Sequence, residues 1–203
     1  MPKIYTIRNK VLINTANNKW LSKALPPIPP NTVRVRTKDR QAPVKQGSLT
    51  TYEIATLVEG TTDVYDVYKS GTNFYDLLYG SNNVIEVLGA DTNGVTDMQS
   101  MFEECNSLVS VTSFDTSNVT TMSKMFYYCS SLTSIPLFDT SKVQSMSYMF
   151  NNCVKVQSGA LAFYQHASTH SPDLYSHLAT FRNCGSYTQT GSAELAQIPD
   201  DWK

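Results

Sequence analysis

Apolar positions in the second half of the chain recur at one fixed interval, the step from Val95 to Val119 and again to Val143. Met98, Met122 and Met146 follow in the same register, then Met101, Met125 and Met149. Phe102, Phe126 and Phe150 come next, and Cys105, Cys129 and Cys153 close the set. Within residues 119–129 the apolar positions stand at i, i+3, i+6, i+7 and i+10, a stripe that predicts a helix. Thr116, Ser117 and Asn118 precede it, and their side-chain oxygens suit the free amides of a first helical turn. Residues 132–138 then read as a very short strand, limited by Pro136, which cannot donate to a ladder. A helix and a short strand in every repeat predict an α/β fold, a short leucine-rich-repeat-like solenoid.

The register extends both ways. Asp91 and Thr92 lie one interval before Asp115 and Thr116, and Leu78 lies one interval before Phe102. Downstream, Phe181 to Cys184 copies Phe150 to Cys153 after a longer gap, as an altered end unit would. The pattern predicts repeats over 71–187, divided as 71–94, 95–118, 119–142, 143–166 and an altered cap to 187, with a tail at 188–203. Before them the pattern changes. Residues 3–14 alternate in places and read as a strand pair. Pro26-Pro27-Ile28-Pro29-Pro30 is a stiff polyproline linker. Val33-Arg34-Val35-Arg36 alternates like a half-exposed strand, and 52–58 and 64–68 read as two more with a turn at 59–63. Residues 1–30 are thus expected to form an extended basic arm and 31–70 a small β unit capping the repeats.

The repeated pattern Phe-Asp-Thr-Ser-Asn-Val-x-x-Met-x-x-Met-Phe-x-x-Cys-x-Ser-Leu, beginning at Phe114, resembles the BspA-like leucine-rich repeat of mycoplasma and gut-bacterial surface proteins. The resemblance covers 71–187 and implies surface display and adhesion, with no chemistry. The stretch from Pro29 to Arg36 and the ending from Ala193 to Lys203 resemble short signal-less proteins of gut bacteriophages.

Charge divides the same chain. Residues 1–45 carry ten basic side chains and one acid, whereas the remainder carries six basic and sixteen acidic ones. Such asymmetry suggests two tasks. Arg34, Arg36, Lys38 and Arg40 are the candidate docking residues, steering the arm to an acidic protein surface. No recognised nucleic-acid fold surrounds them, so nucleic acid is not an expected partner. The longest apolar run near the start, Val11-Leu12-Ile13, is too short for a secretory or membrane segment, and no membrane insertion is expected.

Chemistry is scarce. Cys105, Cys129, Cys153 and Cys184 form no CxxC pair, and their spacing suits a ladder of small buried residues. His166 and His170 could share a helix face, yet no HExxH or adjacent cysteine completes a zinc site, and surface histidines are the expected reading. Asp91, Asp115 and Asp139 suit capping of the following turn more than calcium between repeats. No GxSxG, P-loop or dinucleotide motif is present, so neither an enzyme nor a cofactor is expected.

The informative positions are those that differ between repeats. Glu103-Glu104 is followed by Tyr127-Tyr128 and then by Asn151-Asn152, with Lys124 and Tyr148 beside them. These eight residues are the expected exposed binding face, over a structural core of Val95, Met98, Phe102, Cys105, Val119, Met122, Phe126, Cys129, Val143, Met146, Phe150 and Cys153. The expectation that follows is a non-enzymatic virion structural or attachment protein of a bacteriophage, as a capsid decoration, head fibre or tail-associated protein. It would assemble in the host cytoplasm, dock to other virion proteins through its N-terminal part and bind a host surface protein or glycan through the repeats, with homo-oligomerisation possible. The alternative is a bacterial BspA-like interaction module outside any virion.

Overall fold

A computed structural model describes residues 4–7, 10–13, 25–44 and 54–203. Parts of the expected arm and strands, including 3, 8–9, 14 and 52–53, lie outside the described residues. Strands β1 (Ile4–Ile7) and β2 (Lys10–Ile13) pair as an antiparallel hairpin. Strands β3 (Thr32–Thr37), β4 (Ile54–Leu57), β5 (Val64–Tyr68), β6 (Val84–Asp91) and β7 (Ser110–Val111) form one open sheet in the order β4-β5-β3-β6-β7. All its pairings are antiparallel except β6 with β7, so the sheet is mixed.

The sheet runs across residue 70, because β6 and β7 lie within 71–187 and β6 pairs with β3. Val33 and Val35 of central β3 are fully buried. Between them Arg34 is held by a bidentate pair, Nε to Asp66 Oδ1 at 2.6 Å and Nη2 to Asp66 Oδ2 at 2.7 Å. Its Nη1 donates to the Pro26 carbonyl, which ties the proline linker onto the sheet. Gly89 lies where the linker crosses, and a Cβ there would come within 2.9 Å of Ile28 Cδ1.

The expected α/β leucine-rich-repeat-like solenoid is overturned. The regular structure is this mixed five-stranded sheet, with only two short α-helices among the described residues, α1 (Ala160–His170) and α2 (Gln189–Ala196). Residues 119–129 form successive turns around one isolated bridge, with no helix.

The reason lies in the backbone. A helix needs every residue right-handed and every N–H directed four residues back. Here Lys124 and Tyr128 are left-handed, at φ 58° and 59°, as are Ser100 and Glu104 before them and Tyr148 and Asn152 after. Alternate amides turn to the adjacent repeat: Met122, Lys124, Phe126 and Tyr128 donate to the carbonyls of Ser145, Ser147, Met149 and Asn151, each at 2.9 Å. The intervening amides close local turns, as when Met125 donates to Met122 and Cys129 to Phe126. Every third or fourth residue still points inward, which is how a turn series mimics a helical stripe. The strand expected at 132–138 reduces to one parallel bridge, Ser134 with Ser158.

Parallel bridges join Asn73 to Asp97, Asp97 to Thr121, Thr121 to Ser145, and Ser145 to Ser176. The twelve repeat-core residues named above are all buried. Phe102, Phe126 and Phe150 stack with centroids 5.3 and 5.5 Å apart, and Phe181 continues at 5.8 Å. Beside them the thiols of Cys105, Cys129 and Cys153 each donate at 3.1 Å to a carbonyl of the preceding repeat, those of Leu78, Phe102 and Phe126. Burial pushes the Cys105 thiol up to about 12, so it keeps the proton it donates. Helix α1 interrupts the register and drives Phe163 edge-on against Phe150. At the far end Trp202 lies over His177 and Phe181, and its carbonyl accepts the Phe181 amide.

Candidate binding face

Left-handed residues recur four apart at the same positions of each repeat: one row reads Asp76, Ser100, Lys124 and Tyr148, and a second reads Gly80, Glu104, Tyr128 and Asn152. Ser100 and Gly80 are buried, and the other six are half-exposed or exposed. Between them runs Tyr79, Glu103, Tyr127 and Asn151. Left-handed backbone is tolerated by Gly, Asn and Asp but disfavoured for Lys and Tyr, by about 1–2 kcal/mol in a regular left-handed segment. The neighbouring repeat overrides that preference here, through the inter-repeat amide bonds of Lys124 and Tyr128.

Tyr127, Tyr128 and Tyr148 come together. The Tyr127 ring meets Tyr128 edge-on at 4.6 Å and Tyr148 edge-on at 6.2 Å. Tyr128 is 43% exposed, and Tyr127, Tyr148, Glu104, Lys124 and Asn152 are half-exposed. Two of the expected face residues are not exposed. Glu103 is 8% and Asn151 3% accessible, whereas Tyr79 and Tyr127 at the same position of their repeats are half-exposed. Asn151 donates to the Ala179 carbonyl at 3.4 Å and accepts from Asn152 at 2.6 Å, a structural link between repeats. Glu103 faces the Lys124 ammonium at 3.9 Å. Burial raises its pKa, opposed by a Ser100 hydrogen bond and by Lys124.

The structure adds residues that pattern reading passed over. Tyr75 is 42% exposed, and Tyr79 occupies in the first repeat the position that Glu103 holds in the second. The charge of Asp76, then burial, then Glu103 and Asp97 raise the Tyr75 hydroxyl. Burial, then the charge and hydrogen bond of Glu104, do the same to Tyr79. Burial chiefly, then Tyr128 and Glu103, raises Tyr127. These tyrosines share one electronegative ridge with Asp76, Asp97, Glu103 and Glu104. Lys124 lies within it, its ammonium 5.5 Å from the Tyr127 ring centroid.

The expected docking residues separate. Arg34 is 3% accessible and saturated by Asp66 and the Pro26 carbonyl, so it cannot meet a partner. Arg36 pairs with Glu86 and lies 3.4 Å from Asp63, within the same sheet. Their partners are distant in sequence and reach them through the pairing of β3 with β5 and β6. Lys38 and Arg40 are exposed; Lys38 Nζ donates to Ser107 Oγ at 2.9 Å, and Arg40 sits in a left-handed turn at φ 61°.

Elsewhere the titratable groups serve the backbone. Asp115 and Asp139 accept the amides of Ser117 and Ser141 at 2.9 and 2.8 Å. The Ser117 amide and then its hydroxyl hold the Asp115 carboxyl below the usual range, and the Ser141 hydroxyl and then its amide do so for Asp139. His166 and His170 stack at 4.4 Å on α1. Among the described residues no three His, Cys, Asp or Glu side chains converge as a metal site would require, and no helix is long and apolar enough to cross a membrane.

A family model described as Mycoplasma protein of unknown function, DUF285, matches residues 62–187, more than half of the chain. No curated protein and no solved structure matches it.

Proposed function

The chain belongs to the DUF285 family, and from that premise we propose that it is a non-enzymatic attachment protein displayed on a bacteriophage particle. The observation that carries the binding role is the ridge of Tyr75, Tyr79, Tyr127, Tyr128 and Tyr148 over a buried ladder. The Val, Met, Phe and Cys positions are identical in the three repeats that begin at Val95, Val119 and Val143, while the positions above them change from Glu to Tyr to Asn. Tyrosine offers a large amphipathic contact at low cost in conformational entropy, which suits a recognition surface.

The N-terminal part, with Lys38 and Arg40 as its exposed cations near the sheet, docks to other virion proteins. The repeats face outward to a host surface. The phage-like layout of Pro29 to Arg36 and of the ending supports the virion over other carriers. A second reading, a bacterial interaction module outside any virion, is favoured by the family match itself, whose description names a cellular lineage.

Mass spectrometry separates the two, applied to density-gradient-purified particles and to washed cells of the same culture. The virion role requires the chain in the particles at a fixed ratio to the major capsid protein. Its recovery with cells and absence from particles would leave the bacterial module.

A further inference from the structure

We propose that the tyrosine ridge binds a short lysine- or arginine-bearing segment of a partner protein. This deepens the reading above and rests on it. The fold has already seated one cation there. Lys124 places its ammonium 5.5 Å from the Tyr127 ring centroid and 3.9 Å from Glu103 Oε1, which combines attraction to an aromatic face with a carboxylate. Beside this internal cation lie the half-buried carboxylates of Asp76, Asp97 and Glu104. The charge of Asp76 leads in raising the Tyr75 hydroxyl, while burial leads for Tyr79, followed by Glu104, and for Tyr127, followed by Tyr128 and Glu103.

Geometry selects a segment over a lone ion. A calcium ion gathers six to eight oxygen ligands around one point, whereas this site is an open ridge crossing four repeats from Asp76 to Tyr148. At about 4.8 Å between paired neighbours the ridge spans roughly 15 Å. That is the reach of about four or five extended residues. Tyr128 and Tyr75, the most exposed rings of the ridge, offer faces on which further cationic side chains can settle, with Glu104 between the repeats that bear them.

The test uses the full chain and a fluorescein-labelled hexalysine, with hexaglutamate as control, read by anisotropy at about 0.05 and 0.15 M salt. Hexalysine is expected to bind and hexaglutamate not. Tyr128→Leu and Glu104→Gln each weaken binding about fivefold or more, Tyr128→Phe stays within about twofold, and Lys124→Gln, which removes the competing internal cation, tightens it. Hexalysine binding that ignores Tyr128→Leu would mean diffuse charge attraction and overturn the proposal, as would no binding at all. Self-association of the wild-type chain that Glu104→Gln abolishes would put the chain's own basic segment on the ridge and overturn it equally. If hexalysine binds as expected but the chain is in neither particles nor cell surfaces, the proposed function fails and this inference stands. If the chain is displayed but hexalysine does not bind, the reverse holds.

Discussion

Phe126→Ala is expected to lower unfolding free energy by about 3–5 kcal/mol, the range for deleting a well-packed aromatic side chain. For a chain of this size that corresponds to a fall in melting temperature of roughly 10 °C. The ring is fully buried and stacked on both sides, 5.3 Å from Phe102 and 5.5 Å from Phe150. It also lies 6.1 Å from Phe138 of its own repeat. Collapse around the void is obstructed, because the flanking backbone is fixed by the Phe126 amide bond to Met149 and the Cys153 thiol bond to the Phe126 carbonyl. Thermal unfolding followed by circular dichroism decides it. A variant that melts like the wild type would place Phe126 outside the core and dismantle the register of the repeats.

Gly191→Ala is expected to destabilise the protein by about 1–3 kcal/mol, the usual cost of forcing atoms into a packed interior. Local propensity argues the opposite, because Ala in a helix is favoured over Gly by about 1 kcal/mol. Gly191 lies in α2, where such a change ordinarily helps. Its surroundings reverse the sign. A Cβ there would collide with the Val156 carbonyl oxygen and approach Gly185 Cα at 2.6 Å. These contacts are backbone atoms and cannot swing aside. Gly185 itself has φ +68°, and a Cβ on it would meet Gly191 Cα at 2.6 Å, so two glycines face each other where α2 crosses the end of the repeats. Thr188 fixes the crossing: its hydroxyl donates to the Val156 carbonyl at 2.6 Å and accepts the Gly191 amide at 3.0 Å. A melting temperature several degrees below wild type is the expected reading. A rise would show that α2 is not clamped against the repeats.

The two predictions draw on features of different legibility. The spacing of Phe102, Phe126 and Phe150 is plain in the sequence, because each ring is buried against a copy of itself one interval away. The conformation between those rings is not. A stripe at i, i+3, i+6, i+7 and i+10 fits a helix and a series of turns alike, and the choice depends on whether alternate amides find acceptors in the adjacent repeat. Glycine would have signalled the left-handed positions, but only the most divergent repeat has one, Gly80; elsewhere Glu104, Lys124, Tyr128 and Tyr148 occupy them. Propensity read from those residues favours a helix, and tertiary hydrogen bonding overrides it.

The binding face was legible in part for a related reason. Tyr128 is exposed and Tyr148 half-exposed, so variation at those positions marks surface. Glu103 and Asn151 vary as much, yet both are buried, unlike Tyr127 at the same position of its repeat. Adjacent variable residues such as Glu103 and Glu104 differ in exposure only once the turns are known. Tyr75 and Tyr79 escaped notice because the first repeat has lost most of the motif. The pairing of the two arginines is non-local. Arg34 and Arg36 read as an exposed basic stripe until Asp66 and Glu86 arrive on β5 and β6 to neutralise them.

The proposal that the tyrosine ridge recognises a host surface is tested most directly by binding to host cells. The measurement compares the purified full chain with a variant carrying Tyr127→Ala, Tyr128→Ala and Tyr148→Ala, with matching circular dichroism and both forms well below their melting temperatures. Loss of at least about tenfold in cell binding is predicted, a modest sum for three aromatic contacts of which each can contribute about 1 kcal/mol. Unchanged binding by a folded variant would contradict it and leave the ridge a solvated face.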